Sequence, residues 1–389
     1  MKILVAHNAY QYRGGEDVVV DAELALLRSH GHEAELYRRD NHELGSMSAA
    51  SAAAGAIWSL RSARDIGQTC EAFRPDLIHV HNTFPLISPS LYWEAARRRI
   101  PVVQTLHNFR LLCPQAMLLR QGKVCEDCIG RLPWRAVARK CYRDSRAQSA
   151  VLAGMLGGHA ALGTWHGKVT RYIVLNRFCR DKFIEGGLPA DRLSIKPNFV
   201  DGAAAPGPGP RHGGLFVGRL APEKGLEVLA EAARMLGRPA LRVAGKGPLQ
   251  GMAEQAFGAG YLGFLPQDAV RGLLATARYL VAPSTCYETF GLAALEAFAS
   301  GTPVIASRHG GLGELVTDGV TGLLVAPADP ADLAAKIAWA DSHPEEMRRM
   351  GQAARAEYET TYTPERNYRM LIDIYQDAIA AMREMPYAA

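Results

Sequence analysis

The chain has 389 residues, enough for two domains with separate cores. Apolar residues make up 48% and charged residues 21%, which excludes a disordered chain, and no apolar run reaches the ~20 residues of a membrane-spanning helix. The net charge of +5 is modest, so any basic face must be local, and the odd count of seven cysteines argues against a fully disulfide-paired secreted protein.

The chain opens on Met1-Lys2-Ile3-Leu4-Val5-Ala6, an apolar run too short for a signal peptide, which reads as the first buried strand of a cytoplasmic protein. Strands are predicted at 2–7, 33–37, 77–81, 102–106 and 172–175. Helices are predicted at 17–29, 49–73 (with a break), 90–98 and 146–159. Strand–helix alternation implies βαβ units and a parallel sheet, with ligands at the carboxyl ends of the strands. The loop after the first strand carries Arg13-Gly14-Gly15-Glu16. Its glycines either let a ligand approach the backbone or simply make a turn, since the full G-x-G-x-x-G pattern is not present.

A long loop after His107 holds Cys113, Cys125, Cys128 and Cys141. Four thiolates could form a tetrahedral structural zinc site, with Cys125 and Cys128 as the knuckle. Incidental thiols or a disulfide are the alternatives. Arg97, Arg98, Arg99, Arg131, Arg135, Arg139, Lys140, Arg143 and Arg146 cluster in this half with few acids near them in sequence. Such a face suits nucleic acid, anionic lipid or a phosphate-bearing substrate, or is merely solvated.

The alternation pauses near Pro197, and 202–214, with Pro206, Pro208 and Pro210, reads as an interdomain linker. It restarts with strands at 214–217, 241–244, 261–263, 279–282 and 322–325 and helices at 225–236, 248–256, 268–277 and 330–342. A last helix from 364 to 382 has helical apolar spacing and is expected to pack back across the domain junction.

Two places in this half invite chemistry. Arg219 and Lys224 follow the strand at 214–217 and precede a helix, where they could clamp a phosphate pair; as surface cations, one would pair with Glu223. In 287–306, Gly291 precedes helix-forming sequence that ends at Gly301 before a buried strand. A helix starting near Phe290 would turn free N–H groups and partial positive charge on an anion such as a diphosphate. Glu288 and Glu296 frame that start and could hold two ends of an elongated ligand, or serve as a cap and a salt bridge.

Val217-Gly218-Arg219-Leu220-Ala221-Pro222-Glu223-Lys224-Gly225, Pro283-Ser284, Glu288-Thr289-Phe290-Gly291 through Glu296, and Gly301-Thr302-Pro303-Val304 together resemble the signature of retaining GT-B glycosyltransferases of family GT4. Gly310-Gly311-Leu312-Gly313-Glu314 and Asp318-Gly319 to Val325 add to it, as do Gly14-Gly15 and Thr105-Leu106-His107-Asn108 in the first half. The resemblance implies an α/β GT-B fold, two Rossmann-like domains facing across a cleft. An acceptor domain would span 1–200, with the cysteine insert at 108–146 and the helix 364–389 packing back, and a nucleotide-sugar domain would span 201–363.

It further implies that Gly14 and Gly15 approach the donor diphosphate and that His107 lies near the transferring sugar. Arg219 and Lys224 would neutralise the leaving diphosphate, Glu288 contact the sugar, and Phe290, Gly291 and Leu292 meet sugar and phosphate. Glu296 would accept from the ribose hydroxyls, and the base would lie over 263–265, including Leu265. No D-x-D occurs, so catalysis is expected without a cofactor, leaving zinc as a structural ion only. The expected partners are a UDP- or GDP-sugar and a glycan or polyprenyl-diphosphate-linked acceptor, with peripheral contact at an anionic cytoplasmic membrane face and no nucleic acid. A sugar-nucleotide epimerase or phosphorylase on the same plan is the rival reading. A zinc-knuckle nucleic-acid binder is a third, though it leaves the second half unexplained.

Overall fold

The computed structural model describes residues 1–201, 209–237 and 240–384. Of the predicted linker at 202–214, residues 202–208, with Pro206 and Pro208, lie outside the described residues, as do 385–389. Contacts divide the chain into two compact units. One comprises Met1–Met117, Glu126–Pro197 and Glu365 onward; the other comprises Leu118–Cys125 and Asn198–Pro364. Each contains a parallel six-stranded sheet flanked by helices, the two-Rossmann plan that the resemblance implies.

The strands of the first unit are β1 (Lys2–Ala9), β2 (Glu33–Asp40), β3 (Leu77–Asn82), β4 (Val102–Thr105), β5 (Arg171–Val174) and β6 (Leu193–Ile195), in the spatial order β2-β1-β3-β4-β5-β6. In β1 every residue after Lys2 is buried, as expected of a strand covered on both faces. The chain reverses direction across the sheet between β1 and β3, and that is where an open α/β sheet leaves a crevice. The helix Pro364–Glu384 packs Leu371, Ile374, Tyr375 and Ala378 into the core formed by Ile3, Val5, Leu77 and Val103.

The predicted helix at 49–73 is two helices, Ala49–Ile57 and Leu60–Phe73. The break follows from capping: the hydroxyls of Ser48 and Ser59 accept from the N–H groups of Ser51 and Ser62, so each serine starts its own helix. Strand β6 is three residues long, too short to show a period in the sequence. The cysteine loop holds a two-residue ladder, Leu119–Arg120 with Lys123–Val124, and a short helix, Trp134–Ala138.

In the second unit β7 (Gly214–Val217), β8 (Leu241–Ala244), β9 (Tyr261–Gly263), β10 (Tyr279–Ala282), β11 (Val304–Ser307) and β12 (Gly322–Val325) lie in the order β9-β8-β7-β10-β11-β12. The reversal falls between β7 and β10, and the core gathers Phe216, Leu229, Val243, Val281, Ile305 and Ile337. A helix at Pro344–Thr361 was not anticipated. It follows Ser342 almost at once, its surface is heavily charged, and it buries only a narrow stripe including Met347, Met350 and Ala354. Among the described residues no helix is long and apolar enough to cross a membrane.

Candidate active site

The second unit brings its sequence-predicted residues to one place, the reversal between β7 and β10. Lys224 ends the short helical turn Pro222–Lys224 after β7, and its Nζ lies 2.5 Å from Glu288 Oε1. Ser284, just past β10, donates to the same carboxylate oxygen at 2.7 Å. Burial alone would raise the Glu288 pKa, but the charge and hydrogen bond of Lys224, with Ser284, hold it below the ordinary carboxylate value. Burial likewise pulls Lys224 down, and the charge of Glu288 outweighs it, so the ammonium titrates higher than usual. Arg219 pairs with Glu223 while its side chain remains 61% exposed.

Gly291 caps the helix Leu292–Ala299 with φ at 93°, in the left-handed region, and a Cβ there would sit 2.5 Å from Leu312 Cδ2. The turn lets the helix begin abruptly beside Glu288. The first-turn N–H groups of the helix thus bring positive potential next to the Lys224 ammonium. Phe290 is buried with its ring against Tyr362, and Leu292 is half-buried at the helix start. Glu296, one turn further on, accepts from Gln267 Nε2 at 3.2 Å, and burial raises its pKa. Leu265 is half-buried after β9, beside an exposed Phe264 whose ring carries Lys246 Nζ 4.8 Å from its centroid.

The first unit places Gly14 and Gly15 at the start of the helix Gly15–Ser29, with Gly15 exposed. Asp17 holds this loop: its carboxylate accepts from Gly14 N–H at 2.8 Å and lies 2.9 Å from His7 Nε2 on β1. Next to Gly15, Glu16 accepts from the Tyr10 hydroxyl at 2.8 Å, and burial raises its pKa to about 7. His107 follows β4, its Nε2 2.8 Å from His81 Nδ1, and both rings line a cavity of this unit with Phe84, Gln104, Arg110 and Trp165.

Sequence reasoning did not single out Asp17, Glu16, Glu23, His79, His81 or Lys196. A signal for two of them was present: His79 and His81 alternate on one strand, so they share a face of the sheet, and their rings lie 4.1 Å apart. Glu23 and Lys196 are 173 residues apart in sequence, and nothing local links them.

The basic cluster is partly neutralised. Arg97 and Arg98 pair with Glu94, Arg98 also with Glu71, and Arg135 and Arg139 face Asp127. Arg131, Lys140, Arg143 and Arg146 are exposed, as are Leu132 and Trp134. Cys113 is buried and Cys125, Cys128 and Cys141 are half-buried. Among the described residues the group of three or more metal-capable side chains with ligand atoms within 4.8 Å of one another is Glu23, His79 and His81, and it contains no cysteine.

Two sheets with their reversal points, one furnished with paired cations, a carboxylate and a helix start, define a GT-B glycosyltransferase fold. The comparisons agree. Residues 13–203 match the Glycosyltransferase Family 4 model and 213–357 the Glycosyl transferases group 1 model. The glycogen synthase of Mycobacterium tuberculosis is 30% identical over 307 residues, covering 74% of this chain and 65% of that protein, so the chain matches just under two thirds of this relative's length. Sucrose-phosphate synthase from Thermosynechococcus elongatus superposes with a TM-score of 0.73 at 18% identity, over 98% of this chain and 99% of that one. HepE of Anabaena, solved in complex with UDP, superposes with a TM-score of 0.67 at 18% identity, over 99% and 100%. The chain has the GT-B fold and is related, over 13–203 and 213–357, to the Glycosyltransferase Family 4 and Glycosyl transferases group 1 families.

Proposed function

We propose that the protein is a retaining glycosyltransferase that moves a sugar from a UDP- or GDP-sugar to a glycan or lipid-linked acceptor. The observation that carries this reading is the Lys224–Glu288–Ser284 cluster set beside the helix start at Gly291. HepE, of the same fold, has also been solved with UDP-glucose, which supports a nucleotide-sugar donor.

In this reading the diphosphate meets Arg219, Lys224 and the helix-start amides, and no divalent ion is required. Fixed charges of this kind lower the barrier because they need no reorganisation as the leaving group becomes anionic. Glu288, anchored at Oε1, orients the sugar through its other oxygen, and Glu296 receives the ribose hydroxyls. On the first unit, the family resemblance implies ligand-facing roles for Gly14, Gly15 and His107. The bond from the anomeric carbon to the phosphate oxygen breaks. A bond from the acceptor oxygen forms on the same face, and the acceptor proton passes to the departing phosphate oxygen. Configuration is thereby retained.

The acceptor side rests on the first unit. Leu132 and Trp134, 69% and 64% exposed, lie close in sequence to the exposed Arg131, Lys140 and Arg143. Exposed apolar side chains in a basic segment suit a lipid-linked diphosphate at an anionic surface. Flotation with anionic vesicles should be lost in a Trp134→Ala, Lys140→Glu double variant; unchanged flotation removes the membrane part of this reading. A thermal-shift screen against UDP, GDP and their sugars tests the donor, because a ligand bound by the native state alone raises the melting temperature. No shift with any of them, and no transfer, would overturn the assignment.

A further inference from the structure

The cavity of the first unit that His81 and His107 line carries one fixed charge. Among the described residues around it none is an acid, and Arg110 supplies a guanidinium. Burial holds His81 and His107 well below the ordinary histidine pKa, so both rings are neutral at neutral pH. Arg110 itself is half-buried and held from several sides. Its Nη1 donates to the Pro114 carbonyl, and the guanidinium lies 4.7 Å from the Phe84 ring centroid and 5.4 Å from that of Tyr142. The backbone beneath it is pinned too. Asn108 Oδ1 accepts from the Arg110 N–H at 3.0 Å, and Phe109, buried against Phe183, donates its N–H to the Ala116 carbonyl at 3.0 Å.

This ordered cation has no counter-ion. Among the described residues no carboxylate pairs with Arg110, and its Nε and Nη2, which form one two-donor edge, have no hydrogen-bond partner. Ring contacts attract a guanidinium but leave its charge in place. The arginines at 97, 98, 135 and 139 differ, since each faces a carboxylate. Glu16 feels the charge of Arg110, but it accepts from Tyr10 and burial raises its pKa to about 7, so it is a weak counter-charge near neutrality. Fixing a long side chain costs rotamer entropy, and an oxyanion on the open edge would offset that cost with charge-assisted hydrogen bonds. Gln104, 7% exposed, lines the same cavity, and its Oε1 has no hydrogen-bond partner.

We propose that this cavity binds the oxyanion of an acidic acceptor, a phosphate ester or a sugar carboxylate. The open edge of Arg110 supplies the paired N–H contacts that both groups accept, and Gln104 Oε1 accepts from a hydroxyl carried beside the anion. That the anion belongs to the acceptor rests on the glycosyl transfer proposed above; the anion site does not.

The test follows the Arg110 Nε–H signal in 1H–15N spectra of the full 15N-labelled chain, assigned by its loss in Arg110→Gln. UDP or GDP, whichever binds, is held at saturation to fill the donor site. Inorganic phosphate and D-glucuronate are the probes. At least one should move the signal along a saturable curve: phosphate marks a phosphate ester, glucuronate a sugar carboxylate, and both together the shared oxyanion. By calorimetry, affinity for the responding probe should fall about tenfold or more in Arg110→Gln, while nucleotide affinity changes less than about twofold. Arg110→Lys keeps the charge without the fork and should recover only part of the loss. No saturable movement with either probe overturns the proposal. So does movement of the signal by the nucleotide itself with an equal loss of nucleotide affinity in Arg110→Gln, which would give the guanidinium to the donor. Should Arg110→Gln not fold, Arg110→Lys assigns the signal and the wild-type titration decides. If a probe binds at Arg110 but no donor supports transfer, the proposed function fails while the anion site stands.

Discussion

A sealed lysine–glutamate pair in the first unit and an open one in the second differ in what can reach them. Lys196–Glu23 in the first unit lies at 2.6 Å with side chains 0% and 2% exposed. Lys224–Glu288 in the second lies at 2.5 Å with side chains 34% and 15% exposed. The sealed pair cannot reach a ligand, so its charge can act only on the fold and on neighbouring rings. The open pair is part-solvated at a strand reversal, where an incoming anion can engage the ammonium. Burial, not residue type, decides which of the two pairs a ligand could reach.

The largest effect should come from breaking the sealed pair. Lys196→Met leaves the Glu23 charge uncompensated in the core, and chemical denaturation should show a loss of about 3–5 kcal/mol. A loss well under 1 kcal/mol would mean that the pair is not buried as described. The open pair should respond in reverse. Lys224→Met should cost about 1 kcal/mol of stability or less, while Arg219→Ala, at an exposed site, should cost almost none. Yet each should lower kcat about 100-fold or more if it stabilises the leaving diphosphate. Near-normal turnover in either variant would return that residue to the surface.

A third variant separates backbone from charge. Gly291→Ala places a side chain at a positive φ and against Leu312, and should destabilise by about 1–3 kcal/mol, read by thermal melting, with donor affinity falling alongside. The smallest effect concerns pH. Burial raises the Glu16 pKa to about 7, so its contribution to stability is fully present below the ordinary carboxylate value and is lost as pH rises through about 7. The wild-type melting temperature should therefore decline relative to Glu16→Gln between about pH 4.5 and 7. Parallel curves would show that Glu16 is solvated. Glu288 should behave oppositely: its lowered pKa contributes stability above the ordinary value that is lost as pH falls through the folded-state one.

The second unit was the more legible because its chemistry is local. Arg219, Glu223 and Lys224 lie within one turn after β7, and Gly291 to Glu296 within the first turn and a half of one helix. The first unit was less so because its partners meet across the sheet. His7 finds Asp17 ten residues on, His81 finds His107 twenty-six on, and Tyr375 finds His79 only once the last helix has packed. The short strand β6 and the helix Pro344–Thr361 escaped for a related reason: one is too short for a period, and the other buries too narrow a stripe.

The sequence by itself determined two rounds of strand–helix alternation and the glycine-led turns and cations of the loops after β7 and β10, because helix caps, strand periodicity and turn chemistry operate within a few residues. Tertiary structure alone decided which charges are sealed and which are open, and that His7 meets Asp17 and His81 meets His107. Desolvation and hydrogen-bond direction depend on neighbours that the chain supplies from far away in sequence.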